Sequence, residues 1–206
     1  MVNAMNSIPS STPSRILKRV RAKGRGAVFT CADFADQGGR SAVDAALSRL
    51  VAAGRLRRLA QGLYDYPRMS IRLGPLSPAP DKIAQALARS SGARLQIDGA
   101  AAANGLGVTT QVPAKTVYLT DGPARQVRMG RQTVTLKRVS PRNLPAPGRA
   151  AGDTFQAIRW LGKDGVTPDV IDTLQRALGP ADKADLRKLA PRAPGWIRPV
   201  LQQIAG

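Results

Sequence analysis

The stretch FTCADFADQGGRSAVDAALSRLVAAGRLRRLAQGLYDYP, residues 29–67, decides the fold. Thr30 can cap a helix at its N-terminus, and Asp33, three residues on, adds the negative charge that this end favours. Phe29 and Phe34 then have the spacing of a hydrophobic staple. Gly38 and Gly39 stop that helix early, and a second one follows at once. Val43, Ala46, Leu47 and Leu50 recur on one face of it, with Gly54 as its stop signal. At about 100° per residue, Ser41, Ala45, Ser48 and Ala52 fall opposite that apolar stripe, with Asp44 and Arg49 on its flanks. This outer face is small and weakly polar, as a helix needs if its backbone is to enter the major groove of DNA. Ser41 reads equally as an N-cap with Asp44 at the third position, and the two readings are compatible.

After Gly54, RLRRLAQGLYDYP holds two short β-prone runs separated by Ala60, Gln61 and Gly62, which predicts a hairpin with glycine in its turn. A hairpin behind a recognition helix is a wing. Arg40 and Arg49 on the helix are the leading candidates for DNA contact, joined by Ser41, Ala45 and Ser48. On the wing, Arg57, Arg58 and Gln61 are candidates for the phosphates or the minor groove, while Leu56, Leu63 and Tyr64 read as core.

Upstream, Thr12 and Pro13 predict a helix start, with Ile16, Leu17 and Val20 as the apolar stripe and Lys18 and Arg19 as candidate phosphate contacts. The opening MVNAMNSIPSSTPS has neither the basic nor the apolar region of a signal peptide, so residues 1–12 read as a disordered tail. Downstream, LGPLSPAP (Leu73–Pro80) and PRNLPAPGRAAG (Pro141–Gly152) read as linkers. The expected architecture is α+β: a winged helix-turn-helix over 13–72, a central mixed α/β module over 80–140 and a small helical bundle over 151–206.

In the central module, a helix over 80–89, a strand over 94–97 and a small-residue helix capped by Asp98 precede strands over 116–120, 126–129 and 132–139. Arg125, Arg128, Arg131, Lys137 and Arg138 make this sheet basic and are candidates for a secondary nucleic-acid surface. Four helical stretches follow, with Phe155, Ile158, Leu161, Val170, Ile171, Leu174 and Leu178 as core. Trp160 and Trp196 are expected in that core, the alternative being exposed indoles that anchor a protein partner.

Charge agrees with a polyanionic partner: 32 Lys and Arg against 13 Asp and Glu give a net charge of +19. No apolar run approaches the roughly 20 residues of a membrane span, and a cytoplasmic protein is expected. With no His and one Cys, Cys31, the chain offers neither a disulfide nor a zinc site, and no metal or cofactor is expected. An enzyme is not expected either. The one pair suggestive of a metal nuclease, Asp98 and Lys115, has Pro113 where a second carboxylate is needed. Phosphate-loop and nucleophile motifs are also missing.

Residues 42–67, AVDAALSRLVAAGRLRRLAQGLYDYP, are similar to the end of the winged module of AbiEi-type antitoxins. The shared features are an alanine-rich helix containing Leu47-Ser48-Arg49-Leu50, then a glycine, a basic strand, and a G-x-Y-x-x-P ending at Gly62, Tyr64 and Pro67. Residues 97–122, IDGAAAANGLGVTTQVPAKTVYLTDG, resemble the second domain's alanine-rich helix, L-G-x-T-T-Q-x-P segment and following strand. The resemblance implies a bacterial transcriptional repressor that binds the operator of its own toxin-antitoxin operon as double-stranded DNA. It also implies a second domain that neutralises a nucleotidyltransferase-like toxin. A basic RNA- or ribosome-associated binding protein is the competing reading of the charge.

Overall fold

The computed structural model describes residues 11–113, 115–130 and 132–206, so most of the expected N-terminal tail lies outside the described residues. The fold is mixed α+β with several small sheets. It divides into two compact units that part between Ser90 and Ser91.

The first unit opens with α1 (Thr12–Lys23), whose N-cap is Ser11, one residue before the cap read from sequence, with Pro13 in the first turn. Strand β1 (Val28–Thr30) leads into a 3-10 helix, Cys31–Gln37. There the Thr30 backbone N–H and hydroxyl both donate to Asp33 Oδ2, at 2.7 and 3.1 Å. The Phe29 and Phe34 rings lie 5.5 Å apart across this entry, so the staple forms. A non-helical residue, Phe34, kinks the segment, and its tight 3-10 winding replaces the α-helix expected from sequence.

Helix α2 (Arg40–Ala52) buries Val43, Ala46, Leu47 and Leu50 as its spacing requires. Its N-cap is Gly39, which removes Ser41 from the capping role. The helix ends in a Schellman closure: Gly54, at φ +65°, donates to the Val51 carbonyl at 2.9 Å and Arg55 to that of Leu50 at 2.9 Å. Strands β2 (Arg57–Ala60) and β3 (Leu63–Asp65) form the hairpin, and β1 lies on the other side of β3 to give the sheet order β1-β3-β2. The register shifts between Arg58 and Ala60, leaving Leu59 as a bulge. Ile16, Val20, Phe29, Phe34, Leu47 and Leu56 are among the side chains that close one core beneath the sheet and helices.

The proline-rich stretch at 73–80 is built in rather than loose. Its Gly74–Pro75 strand (β5) pairs with β4 (Met69–Ser70), and Pro78 is buried. Helix α3 (Pro80–Ser90), read from sequence as the start of the central module, packs on β1 and the 3-10 helix and belongs to the first unit.

In the second unit, β6 (Leu95–Ile97), β7 (Thr116–Thr120), β8 (Arg125–Met129) and β9 (Gln132–Arg138) form a sheet in the order β6-β7-β9-β8. The β7–β9 pair is parallel and the other two are antiparallel. Helix α4 (Gly99–Gly105) has Asp98 at its N-cap position, but the carboxylate makes no capping bond. α4 packs closely on α5 (Ala150–Gly165) through Ala102, Ala103 and Ala157. A Cβ on Gly99 would lie 2.6 Å from the Gln156 carbonyl oxygen, so the alanine-rich sequence serves a tight helix contact.

The stretch at 141–152, expected as a linker, is part of the packed body: Leu144 and Ala151 are buried and the helix has begun by Ala150. Helices α6 (Pro168–Ala177), α7 (Pro180–Leu189) and α8 (Ile197–Ala205) complete the bundle over Phe155, Ile158, Ile171, Leu174 and Leu178. Thr167 caps α6 by accepting from the Val170 N–H. Trp160 and Trp196 are 44% and 36% exposed, which corrects their assignment to the core. No helix among the described residues is long and apolar enough to cross a membrane.

Candidate nucleic-acid interface

The residues proposed for base contact sit on one surface of the first unit. Ser41, Ala45, Ser48 and Ala52 are all exposed on α2, opposite its buried stripe. Arg49 is exposed beside them and makes no ion pair among the described residues. Arg40, 92% exposed, reaches Asp44 one turn on at 4.0 Å, a contact weak enough for a phosphate to displace.

Asp44 is held from beneath: the Cys31 thiol donates to its Oδ1 at 2.9 Å. Burial, reinforced by this contact with Asp44, pushes the thiol up to about 11, so Cys31 stays protonated and fixes the 3-10 helix to α2. From the sequence Cys31 is excluded from a disulfide and from a zinc site and is given no supporting role. Its supporting role depends on a contact thirteen residues away.

The hairpin divides its candidates. Arg58 is exposed on β2 and makes no ion pair among the described residues, and Gln61 is exposed at the turn beside Gly62, whose φ is +67°. Arg57 is engaged within the protein. Its Nε and Nη2 donate to Asp65 at 3.0 and 2.7 Å, and Nη2 also donates to the Leu76 carbonyl at 2.8 Å. Asp65 has no solvent exposure, so the guanidinium is the counter-ion of a buried carboxylate and cannot leave it cheaply.

On α1, Lys18 is exposed and unpaired among the described residues, whereas Arg19 is committed. Both its terminal nitrogens donate to Asp36 at 2.6 Å, and Nη1 also donates to the Asp33 carbonyl at 2.9 Å. The fork holds the Asp36 carboxyl well below the usual carboxylate range. Arg19 is a poor phosphate ligand in this state.

The central sheet does not gather its cations. Arg125 pairs with Leu136 and Val127 with Val134, so Arg125 and Arg138 share the face of those apolar residues. Arg128 and Lys137 project from the opposite face, and they stand well apart along it because Arg128 is opposite Thr133. Arg131 lies outside the described residues. No single basic face results from the four described positions.

No curated protein and no solved structure matches the chain. A family model matches residues 15–186, and the chain belongs to that family, the family of unknown function DUF6088.

Proposed function

We propose that the first unit is a winged helix-turn-helix that binds duplex DNA with α2 in the major groove and the β2–β3 hairpin as its wing. The supporting observation is the outer surface of α2. It exposes only small side chains, with Arg49 and Arg40 beside them, while Arg57 and Arg19 are bound elsewhere. Small side chains allow close approach to base edges, and an arginine there can pair with guanine through two hydrogen bonds. The order helix, strand, short helix, helix and hairpin, with sheet order β1-β3-β2, suits this reading. Arg58 and Gln61 then face the DNA backbone from the wing, with Lys18 a further phosphate contact.

The physiological role follows from the resemblance of residues 42–67 and 97–122 to AbiEi-type antitoxins. On that basis the protein is a repressor of its own toxin-antitoxin operon and, through its second unit, the neutraliser of a nucleotidyltransferase-like toxin. The role is binding, without catalysis.

The test is titration of the full chain against the DNA upstream of its own gene, scrambled duplex and a structured RNA, across a salt series. The expected result is a specific complex that survives moderate salt, with Arg49→Ala weakening it about ten-fold, or about 1.4 kcal/mol, and leaving scrambled DNA unaffected. Equal, salt-labile binding to all three would overturn the reading and leave a basic RNA-associated protein, which the +19 charge alone accommodates.

A further inference from the structure

A cleft of about 570 Å³ opens in the first unit between α1, β1 and α3. Arg19 and Lys23, one turn apart on α1, form one wall, and Lys82 and Arg89 on α3 form another. Arg25 and Arg68 complete a lining that, among the described residues, holds six cations against one acid, Asp33. No residue of α2 or of the β2–β3 hairpin contributes, nor does Lys18, so the cleft shares no residue with the surface proposed for DNA.

Two of the six are neutralised. Arg19 is bound to Asp36, and Arg89 donates to Asp33 at 3.2 Å and to the Val28 carbonyl at 3.1 Å. The other four have no acid partner among the described residues. Arg25 lies 4.8 Å above the Tyr66 ring and donates to the Pro67 carbonyl, and Lys23, Arg68 and Lys82 make no ion pair with a described residue. Like charges that share a concave space repel, and an anion entering it relieves the repulsion.

The floor is shaped for close approach. Gly26 is buried at φ +87°, and a Cβ there would lie 2.7 Å from Arg68 Nε, so glycine lets this guanidinium lie against the backbone that leads into β1. We propose that the cleft binds a small ligand carrying two or more phosphate groups, of the size of a nucleoside polyphosphate. The volume lies within the range of about 300–1,000 Å³ typical of small-ligand sites. A concave space lined by cations from α1 and α3, with Arg25 and Arg68 beside them, suits a compact ligand that carries several negative charges.

Calorimetric titration of the full chain with tripolyphosphate and with ATP, at fixed ionic strength, tests this. Saturable one-to-one binding is expected, weakened at least ten-fold in the Lys82→Gln/Arg68→Gln variant, weakened again in Lys23→Gln, and unchanged in Lys163→Gln. The three cleft side chains are exposed, so these variants should melt as the parent does. Absence of saturation, or an equal loss in Lys163→Gln, would overturn the proposal. So would a Lys82→Gln/Arg68→Gln variant whose specific DNA affinity falls as far as that of Arg49→Ala, because the cleft would then belong to the DNA footprint. Failure of DNA binding with retained tripolyphosphate binding would overturn only the DNA reading.

Discussion

Arg57 and Asp65 face each other across the β2–β3 hairpin in a two-point ion pair, with Asp65 sealed from solvent and the same guanidinium holding the Leu76 carbonyl. The pair therefore ties the hairpin to the chain that leads into α3.

Breaking this pair from either side leaves an uncompensated buried charge or an unanchored hairpin. Arg57→Ala is expected to destabilise the first unit by about 3–5 kcal/mol, whereas Arg58→Ala, one position away and exposed, should fall within about 0.5 kcal/mol of the parent. Urea unfolding of both variants checks this. Equal midpoints would mean that Arg57 has no structural role and return it to the list of DNA contacts.

The hairpin also shows how far the sequence could be read. Helix positions, the staple and the buried face of α2 were legible because they depend on spacings of three and four residues and on local capping chemistry. The partner of Arg57 was not. A regular ladder closed by the two-residue turn Gln61-Gly62 would set Arg58 opposite Asp65, and the bulge at Leu59 moves that partnership to Arg57. An aspartate between two tyrosines in a short apolar strand was the available signal that a cation must be found for it. The central sheet failed differently. Its cations were counted correctly, but which face each one takes depends on the pairing of β8 with β9. The cationic cleft draws on residues 19 to 89, a span over which no local pattern exists.

Cys31 should behave as a poorly reactive thiol. An ordinary cysteine is half ionised at about pH 8.5, where Cys31, pushed up to about 11 by burial first and Asp44 second, remains protonated. The thiolate is the nucleophile, so labelling by a disulfide reagent should be slow in the folded protein and accelerate steeply only on strong alkalinisation or in denaturant. Asp44→Ala removes an acceptor and a negative charge, so it should speed labelling at fixed pH. If labelling is as fast folded as unfolded, the contact does not hold Cys31.

The Arg19–Asp36 fork predicts an acid-sensitive contribution. The folded-state pKa of Asp36 is depressed, chiefly by the hydrogen bonds from Arg19, so the pair stabilises above the unfolded value of about 3.9 and is lost as pH falls through the depressed range. Asp36→Asn should melt below the parent at neutral pH, and the two curves should converge on acidification. Both side chains are substantially exposed, so the gap should also narrow with added salt. A gap independent of pH and salt would mean that Asp36 acts through packing.

Asp153, in the first turn of α5, runs the opposite way. Burial raises its pKa, opposed by a 3.4 Å hydrogen bond from Gln96 Nε2. Gln96 is itself buried, and its Oε1 has no hydrogen-bond partner among the described residues. An asparagine at 153 would keep an acceptor for Nε2 and add a donor for the orphan oxygen. The helix N-terminus favours the carboxylate by about 0.3–1 kcal/mol, while an unmet buried acceptor costs about 1–3 kcal/mol, so the amide should win. Asp153→Asn is expected to stabilise the second unit by about 1 kcal/mol at neutral pH. The sign of the pH dependence follows from the raised pKa. The parent's ionised carboxylate is disfavoured on folding, so the parent gains stability as pH falls through the raised value toward the unfolded one. The advantage of the variant should therefore shrink on acidification, so relative to the parent Asp153→Asn loses stability where Asp36→Asn gains it. Thermal melts of the parent and both single variants over one pH series separate the two effects, and a destabilised Asp153→Asn at neutral pH would mean that the helix-end charge outweighs the burial of the carboxylate.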